Sequence, residues 1–506
     1  MFGGSAVMAA LSFLATLFVI GVGIAVFVVF CMLVLDMIQT KDAVRRNYPV
    51  IGRFRSLFST LGEFFRQYFF AMDREEMPFN RAEREWVDRA AKGHNNTVAF
   101  GSTKNLNAPG AAIFVNCPFP TLDEDADELQ AVEIGPYCEK PFLAPSFFNV
   151  SAMSFGALSS VAVKALSNGA RMAGCWVNTG EGGLASYHLE GGADLVMQIG
   201  TAKYGVRDEQ GNLSDEKLKE AAAHEQVRMF ELKMSQGAKP GKGGILPADK
   251  VTPEIAAIRG IPEGQDSISP NRHTDIENMG DMLDMLNRIR TVTGKPVGFK
   301  AVFGGSDWLE DLCKEIQKRG IESAPDFISV DSGDGGTGAA PMALMDNVGL
   351  VIRESLPMVS NVLHTYGLRK RIRLIASGKL VTPSEVAWAL AAGADFISSA
   401  RGFMFSLGCI QALKCNKNTC PTGITTHNKH LQKGLDPEDK AVKVASYHKQ
   451  MVHEVEVIAH SCGVKRPRLL KRKHVRIMQF NGISVPLDEL SPRPTVLPEY
   501  EGATKA

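Results

Sequence analysis

Three cysteines in the C-terminal part of the chain have a spacing that suits metal or cluster binding. Cys409, Cys415 and Cys420 follow the pattern C-x₅-C-x₄-C, and Pro421 comes directly after the last of them. Thiolates at close spacing hold iron–sulfur clusters, and a proline after a ligand cysteine occurs in ferredoxins. Zinc is an alternative, although structural zinc sites prefer closer pairs and four ligands. Three ligands without an evident fourth favour a three-iron cluster, and unligated thiols are the remaining interpretation.

The rest of the composition narrows the class of protein. The other six cysteines are scattered through 506 residues, so they predict small buried side chains and not a disulfide framework. The formal net charge of +1 gives no reason to expect a nucleic-acid partner.

Glycine-rich or small-residue turns follow several apolar segments and could bind a phosphate. Predicted strands run directly into such turns at residues 332–338, 376–379 and 398–401. At the C-terminal end of a barrel, such turns offer backbone N–H groups to an anion, and glycine lets the backbone approach it closely. Ordinary tight turns are the alternative interpretation.

The segments that must position these residues alternate between strands and helices from about residue 147. Strands are predicted over 148–153, 175–179, 196–200, 228–234, 296–302, 327–331, 373–376 and 396–399. Eight strands separated by helical stretches predict an α/β fold, a (β/α)₈ TIM barrel.

The N-terminus predicts a transmembrane helix. No charged residue occurs before position 36, and the apolar run exceeds the roughly 20 residues that span a bilayer core. A cleavable signal peptide is the alternative, but a basic n-region and a clear cleavage site are missing. Basic residues follow the run (Lys41, Arg45, Arg46, Arg53 and Arg55), which predicts a single-pass membrane protein with its catalytic domain in the cytoplasm. An amphipathic helix over 54–70 would lie on the membrane surface or pack on the barrel.

This pattern divides the chain into four expected parts. Residues 1–37 form the transmembrane anchor, and residues 38–145 form a juxtamembrane helix and lead-in segment. Residues 146–440 form the barrel with its cysteine loop, and residues 441–506 form a helical and basic C-terminal extension.

Several motifs resemble the synthase domain of glutamate synthase. The cysteine loop with Pro421 resembles the [3Fe–4S] loop of that family, and further matches are SAMSFG at 151–156, GEGG at 180–183, QGAKPG at 236–241, ISP at 268–270 and DGGTG at 334–338. The lead-in RNYPVIG at 46–52 is similar to that of stand-alone, membrane-anchored members of the FMN-binding family. The resemblance covers about residues 145–435.

The resemblance implies a reaction and its cofactors. An FMN in the barrel mouth would take electrons from a [3Fe–4S] cluster on the three cysteines and pass hydride to the imine formed from 2-oxoglutarate and ammonia, giving L-glutamate. Gln236, Lys239 and Arg259 would bind 2-oxoglutarate, a dianion that suits cations. Glu181 would hold the ammonium ion and relay protons, with Lys239 as a second catalytic residue.

The resemblance also implies the cofactor contacts. Lys233 and Lys300 would lie near the flavin ring, where a cation stabilises the reduced anion. Met153 and Ser154 would contact the flavin through their backbone. The ribityl phosphate would be bracketed by four further residues: Asp331, Gly333, Gly378 and Arg401.

The sequence departs from the family pattern in ways that leave alternatives open. Ile245 stands where the family tends to carry glutamine, which motivates a different 2-oxo acid or imino acid as substrate. A glutaminase domain is not evident, so ammonia would come from solution or another protein. A dinucleotide fingerprint is also not evident, so electrons would come from a separate donor, a ferredoxin or an NAD(P)H-oxidising subunit. A membrane electron-transfer subunit without amination activity is the third alternative.

Overall fold

The computed structural model of the chain describes residues 3–39 and 43–500, in two compact units, Met1–Ala82 and Glu83–Ala506. The first unit contains helix Gly3–Ile38, the short helix Ala43–Asn47 and helix Gly52–Phe65, which continues as the π-helical turn Arg66–Phe70. The helix predicted over 54–70 therefore exists.

The first helix has 36 residues and would be about 54 Å long at the α-helical rise. It is the one helix in the described residues that is long and apolar enough to cross a membrane, a test that a signal sequence also passes. At its end, Asp36 accepts a hydrogen bond from Arg53 Nη2 at 2.8 Å and another from the Val50 amide at 3.0 Å. Of the expected basic flank, Lys41 lies outside the described residues.

The second unit is built on a closed barrel of eight parallel strands. They are β1 (Phe148–Val150), β2 (Val177–Asn178), β3 (Leu195–Ile199), β4 (Val227–Lys233), β5 (Val297–Val302), β6 (Phe327–Asp331), β7 (Arg373–Ser377) and β8 (Phe396–Ser399). Each strand pairs with the next, and β8 closes the ring on β1 through Ile397 and Phe148. The predicted TIM barrel and its eight strands are confirmed.

Helices surround the barrel, with the bounds Ser160–Ala173, Ser186–Glu190, Asp215–Ala223, Pro253–Arg259, Met279–Thr293, Asp307–Arg319, Ile352–Thr365, Pro383–Ala392 and Arg401–Ser406. Helices Arg81–Ala91, Lys429–Gln432, Pro437–Ser461 and Leu487–Leu490 lie outside these repeats. The first helix after β1 shows how the sequence sets such bounds. Ser159 Oγ accepts a hydrogen bond from the Ala162 amide at its start, and Gly174 ends it in the left-handed conformation that glycine favours.

Short antiparallel strands complete the unit. Val132–Ile134 pairs with Phe142–Ala144, Ile245–Leu246 pairs with Ser267–Ile268, and Val475–Met478 pairs with both Ala112–Phe114 and Ser484–Pro486.

An apolar cluster closes the N-terminal end of the barrel. Phe142, from the hairpin that precedes β1, packs on Trp176, and both are buried with residues near the starts of the barrel strands. Beside this cluster, Asp326 binds Arg290 at 3.0 Å and Arg371 at 2.8 Å. Because this end is filled, ligands must enter from the opposite end, where the catalytic loops of such barrels lie.

The basic C-terminal segment is less solvated than a charged helix face would be. Arg472 is buried and donates to Asn361 Oδ1 at 2.7 Å, and Arg468 donates to the Asp395 carbonyl. These arginines attach the tail to the barrel, because their guanidinium groups reach a side-chain acceptor on helix Ile352–Thr365 and a backbone acceptor directly before β8.

Candidate functional site

The loops after β2 and β4 meet at the C-terminal end of the barrel and bring predicted residues together. Lys233, the last residue of β4, places its Nζ 2.6 Å from Glu181 Oε1, in the loop after β2. Lys233 Nζ also donates to Gln236 Oε1. Burial alone would raise the pKa of Glu181, but the cationic groups of Lys233, Lys239 and Arg259 hold that pKa below its usual value. Glu181 is therefore a carboxylate at neutral pH.

Lys239 is a buried cation near Lys233 and Glu181. The residue is 3% exposed, and in the part of the chain that the structure describes no group accepts a hydrogen bond from its ammonium. Burial and the nearby charge of Lys233 lower the pKa of Lys239 to about 8, against the opposite influence of Glu181. Because a buried charge without a partner is destabilising, the site favours a negatively charged ligand.

Arg259 is placed beside the same site. Its Nη1 donates to Ser267 Oγ at 3.2 Å, and its guanidinium carbon lies 5.2 Å from the centre of the Tyr204 ring. Its Nε is buried without a hydrogen-bond partner. Burial lowers the pKa of Arg259 from its usual value, although the group stays charged at neutral pH.

Lys300 and Asp331 form a second ion pair inside the barrel. Lys300 Nζ lies 3.2 Å from Asp331 Oδ2, and the same carboxylate oxygen accepts the Gly237 amide at 2.9 Å. Burial opposes the charge of Lys300, but Asp331 and then Glu231 raise its pKa above the usual value. Asp331 therefore fixes both a cation and the loop that carries Gln236 and Lys239.

The predicted phosphate loops differ in whether their backbone amides already donate to acceptors within the protein. Gly378 (φ 120°) and Lys379 (φ 54°) both lie in the positive-φ region, and in the described chain their amides donate to no protein acceptor. Gly333 differs, because its amide donates to the Leu350 carbonyl at 2.8 Å. Arg401 packs its guanidinium against Gly336, where a Cβ atom would lie 2.7 Å from Nε. The Gly378 and Lys379 amides thus remain available to an anion, whereas the Gly333 amide is already used.

Met153 and Ser154 lie directly after β1 and contact the Glu181 loop. The Met153 amide donates to the Asn178 carbonyl at 3.3 Å. A Cβ at Gly180 would lie 2.6 Å from the Ser154 nitrogen, so only glycine lets these two segments approach.

The three cysteines of the predicted cluster influence one another electrostatically. Burial raises the pKa of Cys409 to about 11, and the charges of Cys415 and Cys420 act in the same direction. Burial also raises the pKa of Cys415, whereas hydrogen bonds from Thr422 and Thr425 outweigh burial and lower that of Cys420. Among the described residues, no three His, Cys, Asp or Glu side chains converge tightly enough to hold a single metal ion.

Some residues of the site were not expected from the sequence. Glu231 is a buried carboxylate two positions before Lys233 on β4, and the two-residue period of a strand directs both side chains into the barrel. His273 is also buried and hydrogen-bonds the Lys233 carbonyl at 3.0 Å. A charged residue within an apolar strand was an available signal for Glu231, whereas the loop residue His273 had none.

Comparison with known proteins shows the family to which the chain belongs. The family description "Conserved region in glutamate synthase" matches residues 114–465. The glutamate synthase large subunit-like protein YerD of Bacillus subtilis (strain 168) is 40% identical over 94% of this chain and 97% of its own length. The archaeal glutamate synthase [NADPH] of Methanocaldococcus jannaschii is 34% identical over 65% of this chain and 61% of its own length, so the chain spans about three fifths of that relative.

Among solved structures, a (putative) lactate oxidase of Pediococcus acidilactici aligns over 78% of this chain and 93% of its own, at 16% identity and a TM-score of 0.46. That likeness is too distant to bear on function. The family match and the close bacterial relative, together with the barrel, show that this chain belongs to the glutamate synthase family of oxidoreductases.

Proposed function

We propose that this chain forms L-glutamate from 2-oxoglutarate and ammonia, as a glutamate synthase-type oxidoreductase of the class that acts on CH–NH₂ donors. The observation that carries the proposal is the unpaired Lys239 ammonium, buried beside Arg259 and the Glu181–Lys233 pair. Three cationic side chains around one carboxylate leave a surplus of positive charge. A dianionic 2-oxo acid would neutralise that surplus.

The substrate residues divide by chemistry. Lys239 and Gln236 would bind one end of 2-oxoglutarate, and Arg259 would hold a carboxylate with its planar fork. Glu181 would bind the ammonium ion, accept a proton from it so that ammonia can attack the carbonyl carbon, and return protons when water leaves. Lys233 would keep Glu181 oriented through their contact at 2.6 Å.

FMN fits the residues of the barrel mouth. The phosphate would take the free amides of Gly378 and Lys379 together with Arg401, while Lys233 and Lys300 would lie near the ring and Met153 and Ser154 beside it. Asp331 and Gly333 would act indirectly, since Asp331 already holds Lys300 and the Gly333 amide is used. When bound, FMN would supply the hydride that reduces the imine.

A [3Fe–4S] cluster fits the cysteine loop. Cys409, Cys415 and Cys420 influence one another's pKa, and they do not converge on one point. Thiolates that hold different irons of a cluster have no need to converge. The cluster would supply single electrons from a separate donor, either a ferredoxin or an NAD(P)H-oxidising subunit.

The N-terminal helix would hold the enzyme at a membrane as a single-pass protein, with the barrel in the cytoplasm. The length and composition of helix Gly3–Ile38 and the basic residues Arg45, Arg46 and Arg53 support this part of the proposal. The expected division at residues 37, 145 and 440 belongs to the same proposal.

A second candidate keeps the cofactors and changes the substrate to another 2-oxo acid. Ile245 lies in the short strand that pairs with Ser267–Ile268, and Ser267 in that partner strand accepts the hydrogen bond from Arg259. An apolar side chain there would favour a substrate with a less polar distal group. Turnover of a panel of 2-oxo acids separates the two candidates, because the first predicts the highest kcat/KM for 2-oxoglutarate.

The deciding experiment is anaerobic purification in detergent, followed by absorbance and EPR spectra of the reduced protein. Under the proposal, a flavin band and a three-iron signal are present, and the flavin is reoxidised only when 2-oxoglutarate and ammonium are both added. A flavin and cluster that stay reduced with both compounds would remove this substrate pair. A preparation without a cluster signal after anaerobic reconstitution with iron and sulfide would remove the cluster.

A further inference from the structure

A buried carboxylate below the site has three neutral hydrogen-bond donors. Glu231 Oε1 accepts from Asn178 Nδ2 at 2.8 Å and from Gln198 Nε2 at 2.6 Å, and its Oε2 accepts from the Ser329 hydroxyl. All four side chains are buried, and they come from β4, β2, β3 and β6. A carboxylate in this position is unusual in a barrel core, which is normally filled by apolar side chains.

One of these donors connects Glu231 to the catalytic loop. Asn178 Oδ1 accepts a hydrogen bond from the Gly180 amide at 3.0 Å, and Gly180 directly precedes Glu181. Because Glu231 Oε1 accepts from the NH₂ group of the Asn178 side chain, that amide is oriented with its oxygen toward Gly180, whose N–H can only donate.

The other contacts of Glu231 lack this connection through a side chain. Gln198 reaches the same loop through its backbone, because its amide nitrogen donates to Thr179 Oγ1 at 3.2 Å. Replacing the Gln198 side chain leaves that contact in place. Ser329 lies on β6, which does not carry the Glu181 loop. Asn178 is therefore the one of the three partners whose side chain both binds Glu231 and holds Gly180.

We propose that Glu231 is a positioning residue that acts through Asn178 and the Gly180 amide to hold the Glu181 carboxylate toward Lys233. The role assigned to Glu181 rests on the proposed function, whereas the positioning rests on the hydrogen bonds alone. Glu231 contacts no reacting group in this scheme.

The test combines hydrogen–deuterium exchange with steady-state kinetics on the full-length, detergent-purified protein. Glu231→Leu removes the acceptor and Asn178→Ala removes the relay, so we expect exchange in residues 179–183 to rise about 10-fold, the loss of one hydrogen bond. Glu231→Gln is the conservative variant. Its side-chain oxygen still accepts from Asn178 and Gln198 while its NH₂ donates to Ser329, so exchange should stay near the wild-type rate.

The matched control is Gln198→Leu, which removes an equally buried hydrogen bond to the same oxygen but keeps the backbone contact with Thr179. It should leave exchange in 179–183 unchanged relative to the other barrel loops. If Glu231→Leu does not fold, the comparison of Asn178→Ala with Gln198→Leu decides. Equal exchange in residues 179–183 for those two variants would overturn the proposal.

The kinetic measurement adds a second, separable outcome. Glu231→Leu and Asn178→Ala should raise KM for ammonium about 10-fold and leave KM for 2-oxoglutarate within about 2-fold, because Glu181 and not Lys239 is displaced. If both constants rise equally, the effect is general loosening and the proposal is wrong. If 2-oxoglutarate and ammonium are not substrates, the proposed function fails, while the exchange data still test the positioning.

Discussion

The pH dependence of substrate capture should be set by Lys239. Its pKa of about 8 results from burial and from the charge of Lys233. If only the ammonium form binds the 2-oxoglutarate dianion, the competent fraction falls from about 0.9 at pH 7 to about 0.1 at pH 9. We therefore expect kcat/KM for 2-oxoglutarate to fall about 10-fold over this range, since this ratio reports the protonation state of the free enzyme.

The assay is steady-state turnover at saturating ammonium from pH 6.5 to 9.5, with total ammonia corrected for its own ionisation. Lys239→Arg is the matched variant, because its guanidinium stays charged throughout and should remove the alkaline decrease even if activity is lower overall. A flat wild-type profile, or the same decrease in Lys239→Arg, would show that another group controls binding.

Three further predictions concern the close contact at Gly237, iron binding by Cys420 and the buried histidines. Gly237→Ala should destabilise the fold by about 2 kcal/mol, because the new Cβ would lie 2.2 Å from the Ser332 carbonyl oxygen; an unchanged urea midpoint would contradict this. Cys420→Ser should abolish bound iron and its EPR signal but keep the circular dichroism spectrum, and iron analysis at the wild-type level would reject Cys420 as a ligand. The free energy of unfolding should fall as the pH falls from 6.5 toward 4, by up to about 1.4 kcal/mol per pH unit for each buried histidine. The reason is that these histidines bind protons in the unfolded chain at a pH where they stay neutral in the folded chain. Urea unfolding at pH 6.5 and 5 tests this, and equal midpoints would refute it for the four histidines whose pKa burial lowers to about 4: His188, His273, His427 and His448.

The barrel was predictable because parallel strands buried on both faces are continuous apolar runs. The predicted bounds of β6 and β8 match the structure, and those of β3, β4, β5 and β7 differ by one residue at one or both ends. The predicted first strand runs three residues too far. Beyond Val150 the chain leaves the ladder to approach Gly180, and single hydrogen bonds from Ser151 to Ser399 and from Met153 to Asn178 replace regular strand pairing there.

Motifs in the sequence predict which residues form the site, but they do not predict which of those residues pair with one another. Spacing alone does not reveal that Lys233 reaches Glu181 and Gln236, because a lysine side chain can cover several ångströms in any direction. Glu231 was missed because its meaning depends on Asn178, which lies 53 positions away in the sequence. Contacts between different barrel strands are set by closure of the sheet, which no local pattern records.

The loop that carries Gln236 and Lys239 is held by hydrogen bonds and close backbone packing against the end of β6 and the loop that follows it. The Gly237 amide donates to Asp331, the Ala238 amide donates to the Gly333 carbonyl at 2.9 Å, and a Cβ at Gly237 would lie 2.7 Å from Gly335 Cα. Order in one loop therefore favours order in the other. A ligand that orders one loop lowers the entropy that the other must lose, which makes the two binding events positively cooperative. By reciprocity, saturation of the barrel mouth with FMN should tighten 2-oxo acid binding by the same factor as the 2-oxo acid tightens FMN binding, and equilibrium titration of each ligand with and without the other measures that factor.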